Sequence, residues 1–110
     1  MSKHIRGTVK ALELVRDTHP DVNLSALLML LVISLADKDG VSMADLEKQL
    51  GLSQAGCSRN VALLTDTNRH REEGAGLITR HEDPMNRRTK VVRLSPKGVR
   101  FMAQFKQHLE

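Results

Sequence analysis

The sequence predicts a mainly α fold that carries one small β-hairpin. Three observations point there. Apolar residues recur at helical spacing near both ends, over residues 3–17 and 95–109. Two short helical stretches, joined at Gly51-Leu52-Ser53, occupy about residues 42–66. Two β-prone runs within about 77–94 flank a turn-rich tip. With 110 residues, 40% hydrophobic and 27% charged, the chain describes a single folded domain over 1–110 rather than a disordered segment. Phe101 and Phe105 are its sole Phe, Tyr or Trp residues, so the core is aliphatic.

Ile5, Val9, Leu12 and Val15 form one apolar stripe on a helix over 3–17. His19-Pro20 stops it, because the residue before proline avoids helical backbone. Asp21 or Asn23 caps a second helix that runs to about Ala36. That helix is apolar nearly all round, which places it in the middle of the fold. Its apolar run, Leu24 to Ala36, is too short to span a bilayer. Asp39-Gly40 is a turn signal. Ser42 starts a short helix with Asp45 in a capping-box-like position and Met43, Leu46 and Leu50 inside. Gly51 breaks it. Ser53 caps the next helix, whose inner stripe is Cys57, Val61 and Leu64.

Two short helices joined by a glycine-containing turn form a helix-turn-helix. Residues 67–75 lack periodicity and read as a polar loop or a frayed helix end. Leu77–Glu82 and Thr89–Leu94 read as strands, with Asp83–Arg88 as a loop of about six residues. Ser95-Pro96 then opens the last helix, which carries Val99, Met102, Phe105 and Leu109 on one side.

Charge is unevenly spread. The chain has 17 Lys and Arg against 13 Asp and Glu, a net charge of +4. Residues 11–52 hold three basic and seven acidic side chains, while residues 77–100 hold seven basic and two acidic. A segregated basic region is the footprint of a polyanion binder; the competing reading is a solvated basic surface.

A helix-turn-helix followed by a hairpin is the winged-helix arrangement. Its second helix fits the major groove of duplex DNA, and its hairpin reaches the adjacent backbone or minor groove. With Cys57 facing the core, Ala55, Arg59 and Ala62 lie on the opposite side and Ser58 flanks them. Gln54 and Arg59 are candidates for reading base edges. Ser53 is a helix cap that can also meet a phosphate. Gly56 weakens its helix, and close approach to DNA would rationalise it. Arg87 and Arg88 sit at the hairpin tip as candidate minor-groove contacts. Asp83 either braces one of them or is a turn residue. Lys90, Arg93 and Lys97 are candidate phosphate contacts, which give affinity without sequence information.

These residues resemble the MarR family of bacterial transcription regulators. The likeness covers about residues 24–100. Leu50 to Arg59 is similar to that family's recognition segment. Gly76 to Arg80 and Asp83 to Gly98 are similar to its wing and the start of the following helix. The resemblance implies a homodimer that binds duplex DNA at a palindrome and represses transcription. The apolar stripes of the flanking helices 3–17 and 95–109, which a small monomer leaves partly uncovered, mark them as the expected dimer surface. The chain is shorter than typical members, and the stretch from Arg59 to Gly76 is about seven residues longer. Glu47 stands where helix-turn-helix motifs usually place a small residue, so it must turn outward or find a partner. Whether a small-molecule effector binds is left open.

Other chemistry finds little support. A single cysteine, Cys57, allows no internal disulfide or thiolate zinc cluster. The five histidines show no metal-binding spacing, and no nucleophile elbow, phosphate loop or paired carboxylates suggest an enzyme. No cofactor is expected. No apolar signal segment follows Lys3, His4 and Arg6, which favours a cytoplasmic protein without membrane contact. The alternative function is a winged-helix protein–protein adaptor, in a replication or anti-host complex, without specific DNA binding.

Overall fold

The computed structural model describes residues 2–36, 38–65 and 74–110, with the Arg87 side chain outside that description. Of the unpatterned stretch 67–75, only Gly74 and Ala75 fall within it. The elements run α1 (Ser2–Thr18), α2 (Leu24–Leu35), β1 (Val41–Ser42), α3 (Met43–Leu50), α4 (Gln54–Leu64), β2 (Ile78–Asp83), β3 (Asn86–Leu94) and α5 (Pro96–Leu109).

Side-chain caps fix most helix starts. Asn23, rather than Asp21, caps α2, accepting the Ala26 N–H at 2.8 Å. Ser42 caps α3 through the Asp45 N–H at 3.1 Å, and Ser53 caps α4 through the Gly56 N–H at 3.0 Å. Gly51 ends α3 in the left-handed region (φ 63°), which only glycine enters without strain.

The two outer helices bury only part of their apolar stripes, Val15 of α1 and Met102 and Phe105 of α5. α1 turns Gly7, Ala11 and Val15 inward and leaves Ile5, Val9 and Leu12 exposed, Ile5 to 64%. The reason is backbone contact with α5: a Cβ at Gly7 would collide with the His108 carbonyl. Small residues let the two helices approach closely, and larger ones face away. The helices are antiparallel, since Gly7 meets His108 at one end while His19, just past α1, stacks edge-on to Phe101 at 5.3 Å. α5 buries Phe101, Met102 and Phe105 but leaves Val99 and Leu109 exposed. α2 is likewise not covered all round. Met29, Leu30 and Ile33 are buried, whereas Leu24, Leu28 and Leu35 are exposed, Leu35 to 86%.

The sheet has three antiparallel strands in the order β1-β3-β2. The two-residue β1 is too short to show a pattern in the sequence; it pairs Val41 with Val92 and Ser42 with Val91. The hairpin tip is tighter than a six-residue loop. Pro84 and Met85 alone make the turn, Asp83 pairs with Asn86, and the register then skips so that Glu82 pairs with Lys90. Arg87, Arg88 and Thr89 thus form a bulge at the start of β3 rather than the tip itself. Met85 occupies the tip and is 93% exposed.

One buried joint ties the hairpin to the helices. The Ser95 hydroxyl donates to the Gly76 carbonyl at 2.6 Å and accepts the Gly98 N–H at 3.0 Å. The Ser95 N–H donates to the Leu77 carbonyl at 3.0 Å, and the Leu77 N–H donates to the Leu64 carbonyl at 2.7 Å. The ends of α4 and β3 and the starts of β2 and α5 therefore meet at one place.

Ser95→Ala removes the cap and a buried hydrogen bond together. It is expected to lower the unfolding free energy by about 2 kcal/mol, against about 1 kcal/mol for Ser53→Ala at an exposed cap. Urea denaturation of the two variants checks the difference. Burial pushes the His19 imidazole below its ordinary value of 6.5, and the Lys97 charge pushes the same way. Between the depressed folded value and 6.5 the unfolded chain binds the proton more readily. His19 therefore lowers stability as pH falls through that window and contributes no loss above it. Urea midpoints at about pH 7.5 and about pH 5.5 should differ less in His19→Gln than in the parent chain.

Candidate nucleic-acid interface

Helical geometry divides α4 into two faces. Cys57, Asn60, Val61 and Leu64 are buried, and Gln54, Ala55 and Arg59 are exposed, with Ser58 and Ala62 half-buried between them. Of the expected outward set, Ala55 and Arg59 face outward, whereas Ala62 is half-buried like the flanking Ser58. Ser53 serves as the cap. Gly56 has a local role not apparent from the sequence: its N–H is the capped group, and a Cβ there would press on Ser53 Oγ at 3.3 Å.

A cleft of about 260 Å³ lies between α3, α4 and the hairpin. Gln54 and Ser58 line it from α4, Met43, Ala44 and Glu47 from α3, and Arg80, Arg88, Thr89 and Lys90 from the hairpin. The cleft brings residues from the helix and the wing to one side of the molecule. Lys90 does not stand alone there, since its Nζ pairs with Glu82 Oε1 at 2.9 Å across the strands.

Other candidates lie elsewhere. Cross-strand partners share a face of a sheet. Thr79 pairs with Arg93 and His81 with Val91, so Arg93 is on the face opposite Arg80, Lys90 and Val92. Lys97, on the first turn of α5, donates to the Ala75 carbonyl at 2.8 Å. It fastens the segment leading into β2. Asp83 takes its turn role: its carboxylate accepts the Met85 N–H at 2.9 Å, and no described arginine pairs with it. The Arg87 contact expected from the sequence lies outside the described residues.

Two charged cleft residues, Glu47 and Arg80, were not picked out as contacts from the sequence. Arg80 follows from hairpin register, because alternation puts Ile78, Arg80 and Glu82 on the face that meets α3 and α4. Glu47 stood out only as an unusual residue; it turns into the cleft. Beneath both lies Cys57, whose Sγ is 3.9 Å from the Met43 carbonyl. Burial pushes its thiol up, the Glu47 charge adds to this and Arg80 opposes it. Cys57 is thus a buried small hydrophobe. Among the described residues, no three His, Cys, Asp or Glu side chains converge to hold a metal.

No family model matches the chain, and no curated protein matches it. Solved structures do. The S. aureus MepR–DNA complex is 20% identical, with a TM-score of 0.74, over 90% of this chain and 72% of that one. A MarR transcriptional regulator from Methanosarcina mazei Go1 is 18% identical, with a TM-score of 0.70, over 97% of this chain and 68% of that one. The transcriptional repressor CouR, bound to a 23-mer DNA duplex, is 20% identical, with a TM-score of 0.68, over 96% of this chain and 66% of that one. The fold that these elements define is the winged helix. In particular it is the winged helix of MarR-type structures, which this chain matches over nearly its whole length and about two thirds of theirs.

The buried thiol yields a direct check. Cys57 in the native chain should react with a soluble disulfide reagent at least roughly tenfold more slowly than in the urea-unfolded chain. Equal rates would place the sulfur at the surface.

Proposed function

We propose that this protein is a sequence-specific duplex-DNA-binding transcriptional regulator, acting as a homodimeric repressor at a palindromic operator. The observation that carries this reading is the cleft, where Gln54 and Ser58 of α4 stand beside Arg88 and Lys90 of the hairpin. A helix in the major groove and a hairpin in or near the next minor groove need this common orientation. The DNA complexes of MepR and CouR, which share the fold, support it.

The roles divide by position. Gln54, Ser58 and Arg59 read base edges from the outward face of α4. Ala55 and Gly56 keep that face shallow, and the Ser53 end of the helix meets phosphate. Arg87 and Arg88 enter the minor groove from the bulge that Asp83 helps to shape. Lys90 meets the backbone once it exchanges Glu82 for phosphate. Arg93 and Lys97 act only through the long-range field.

The exposed stripes Ile5, Val9 and Leu12 of α1 and Val99 and Leu109 of α5 support a dimer, since such patches mark interfaces. None of the described helices is long and apolar enough to cross a membrane, and a cytoplasmic location suits the role.

Arg59→Ala should cost about 1–3 kcal/mol on the preferred operator and relax base preference at one position. Lys97→Ala should leave preference unchanged and weaken all duplexes slightly. Affinity should fall steeply with salt, because phosphate contacts release counterions. Anisotropy titrations over a panel of duplexes test these outcomes; the same profile for both variants refutes the roles, and salt-insensitive binding refutes the reading. Sedimentation as a strict monomer at micromolar concentration removes the palindrome.

A further inference from the structure

We infer that Glu47 is an electrostatic brake on DNA affinity, an acidic group set into the cleft that the phosphodiester backbone crosses. This rests on the function proposed above. When one element occupies a major groove and its neighbour the adjacent minor groove, the strand dividing those grooves runs between them. Here that path lies over the cleft between α4 and the hairpin. The first helix of a helix-turn-helix also crosses the backbone, and Glu47 belongs to that helix, α3.

The charges along this path are specific. Arg80 and Arg88 reach into the cleft from the hairpin, and Lys90 does so while paired with Glu82. Glu47 faces them from α3. Among the described residues the ion pairs are Arg16 with Glu13 and Asp17, and Lys90 with Glu82; Glu47 forms none. No contact ion pair therefore ties its carboxylate down, and it shares the cleft with these cations. Its field reaches the buried Cys57 thiol, and so does the opposing field of Arg80.

An arriving phosphate meets this carboxylate as well as the cations. The repulsion acts on backbone, which is alike in every sequence, so it weakens all duplexes by a similar factor. The difference between operator and bulk DNA is preserved while residence on both is shortened. A carboxylate that instead accepted a hydrogen bond from a cytosine amino group would act at one base pair.

The test compares the full chain with Glu47→Gln and Arg80→Gln. Binding is read by fluorescence anisotropy against a random duplex and against the tightest fragment selected from random DNA, across a potassium chloride series. Glu47→Gln is expected to bind both duplexes roughly fivefold tighter, the size of an exposed charge interaction, with a steeper salt dependence. Arg80→Gln is expected to weaken both by a similar factor. Unchanged or weaker binding of both duplexes by Glu47→Gln overturns the brake. Weakening on the selected fragment alone also overturns it and assigns Glu47 to a base. Arg80→Gln without effect shows that the backbone does not cross the cleft, and the brake falls with it. If the parent chain binds neither duplex in a salt-sensitive way, the brake and the proposed function fail together.

Discussion

Ser95 occupies the place where α4, the hairpin and α5 are held in register. Its hydroxyl bridges the Gly76 carbonyl and the Gly98 N–H, and its own N–H reaches Leu77, which is bonded in turn to the last residue of α4. Gly98 is part of the same constraint, because any Cβ there would collide with the Leu77 carbonyl. A hairpin attached only by its two chain ends would pivot. This one is clamped to the C-terminal end of α4 by backbone bonds, and Ala75 and Gly76 add bonds to Leu63 and Thr65. Buried hydrogen bonds of this kind are costly to leave unmade, so the clamp is stiff.

The cleft follows from that clamp. β3 lies between β1 and β2, and β1 runs directly into α3. Val92 is buried under the helices, and alternation from it carries Lys90 to the open end of the same face. The strand face thus changes from apolar at Ile78, Val92 and Leu94 to charged at Arg80, Glu82 and Lys90 as it leaves the core. The apolar end fixes the sheet on the helices, and the charged end is left facing α3 and α4 across open space. Core packing and the candidate interface share one sheet face, divided along its length.

Much of this was legible in the residues. Ser42, Ser53 and Ser95 announced their helices, Gly51 its turn, and the stripe Cys57, Val61, Leu64 the orientation of α4, because capping and helical period are local properties. What depended on distant partners was not legible. The face that α1 turns inward was not legible, because Gly7 and Ala11 carry little hydrophobic signal although their small size is what permits backbone contact with α5. β1 carries no pattern in two residues. The bulge at Arg87–Thr89 depends on a cross-strand register that no single run displays. For the same reason Arg93 and Lys97 were grouped with Lys90 by charge, although strand alternation puts Arg93 on the other sheet face and Lys97 donates to the Ala75 carbonyl. Arg80 was overlooked because it is a lone cation in a strand.

The pairing of α1 with α5 has a kinetic side. Gly7 and His108 lie almost a chain length apart in sequence, yet their backbones touch. Closing so long a loop is slow relative to local steps such as helix formation. During synthesis the first helix leaves the ribosome long before its partner exists. Its small-residue groove must wait, open to solvent and to any chaperone that recognises it, until α5 has been made.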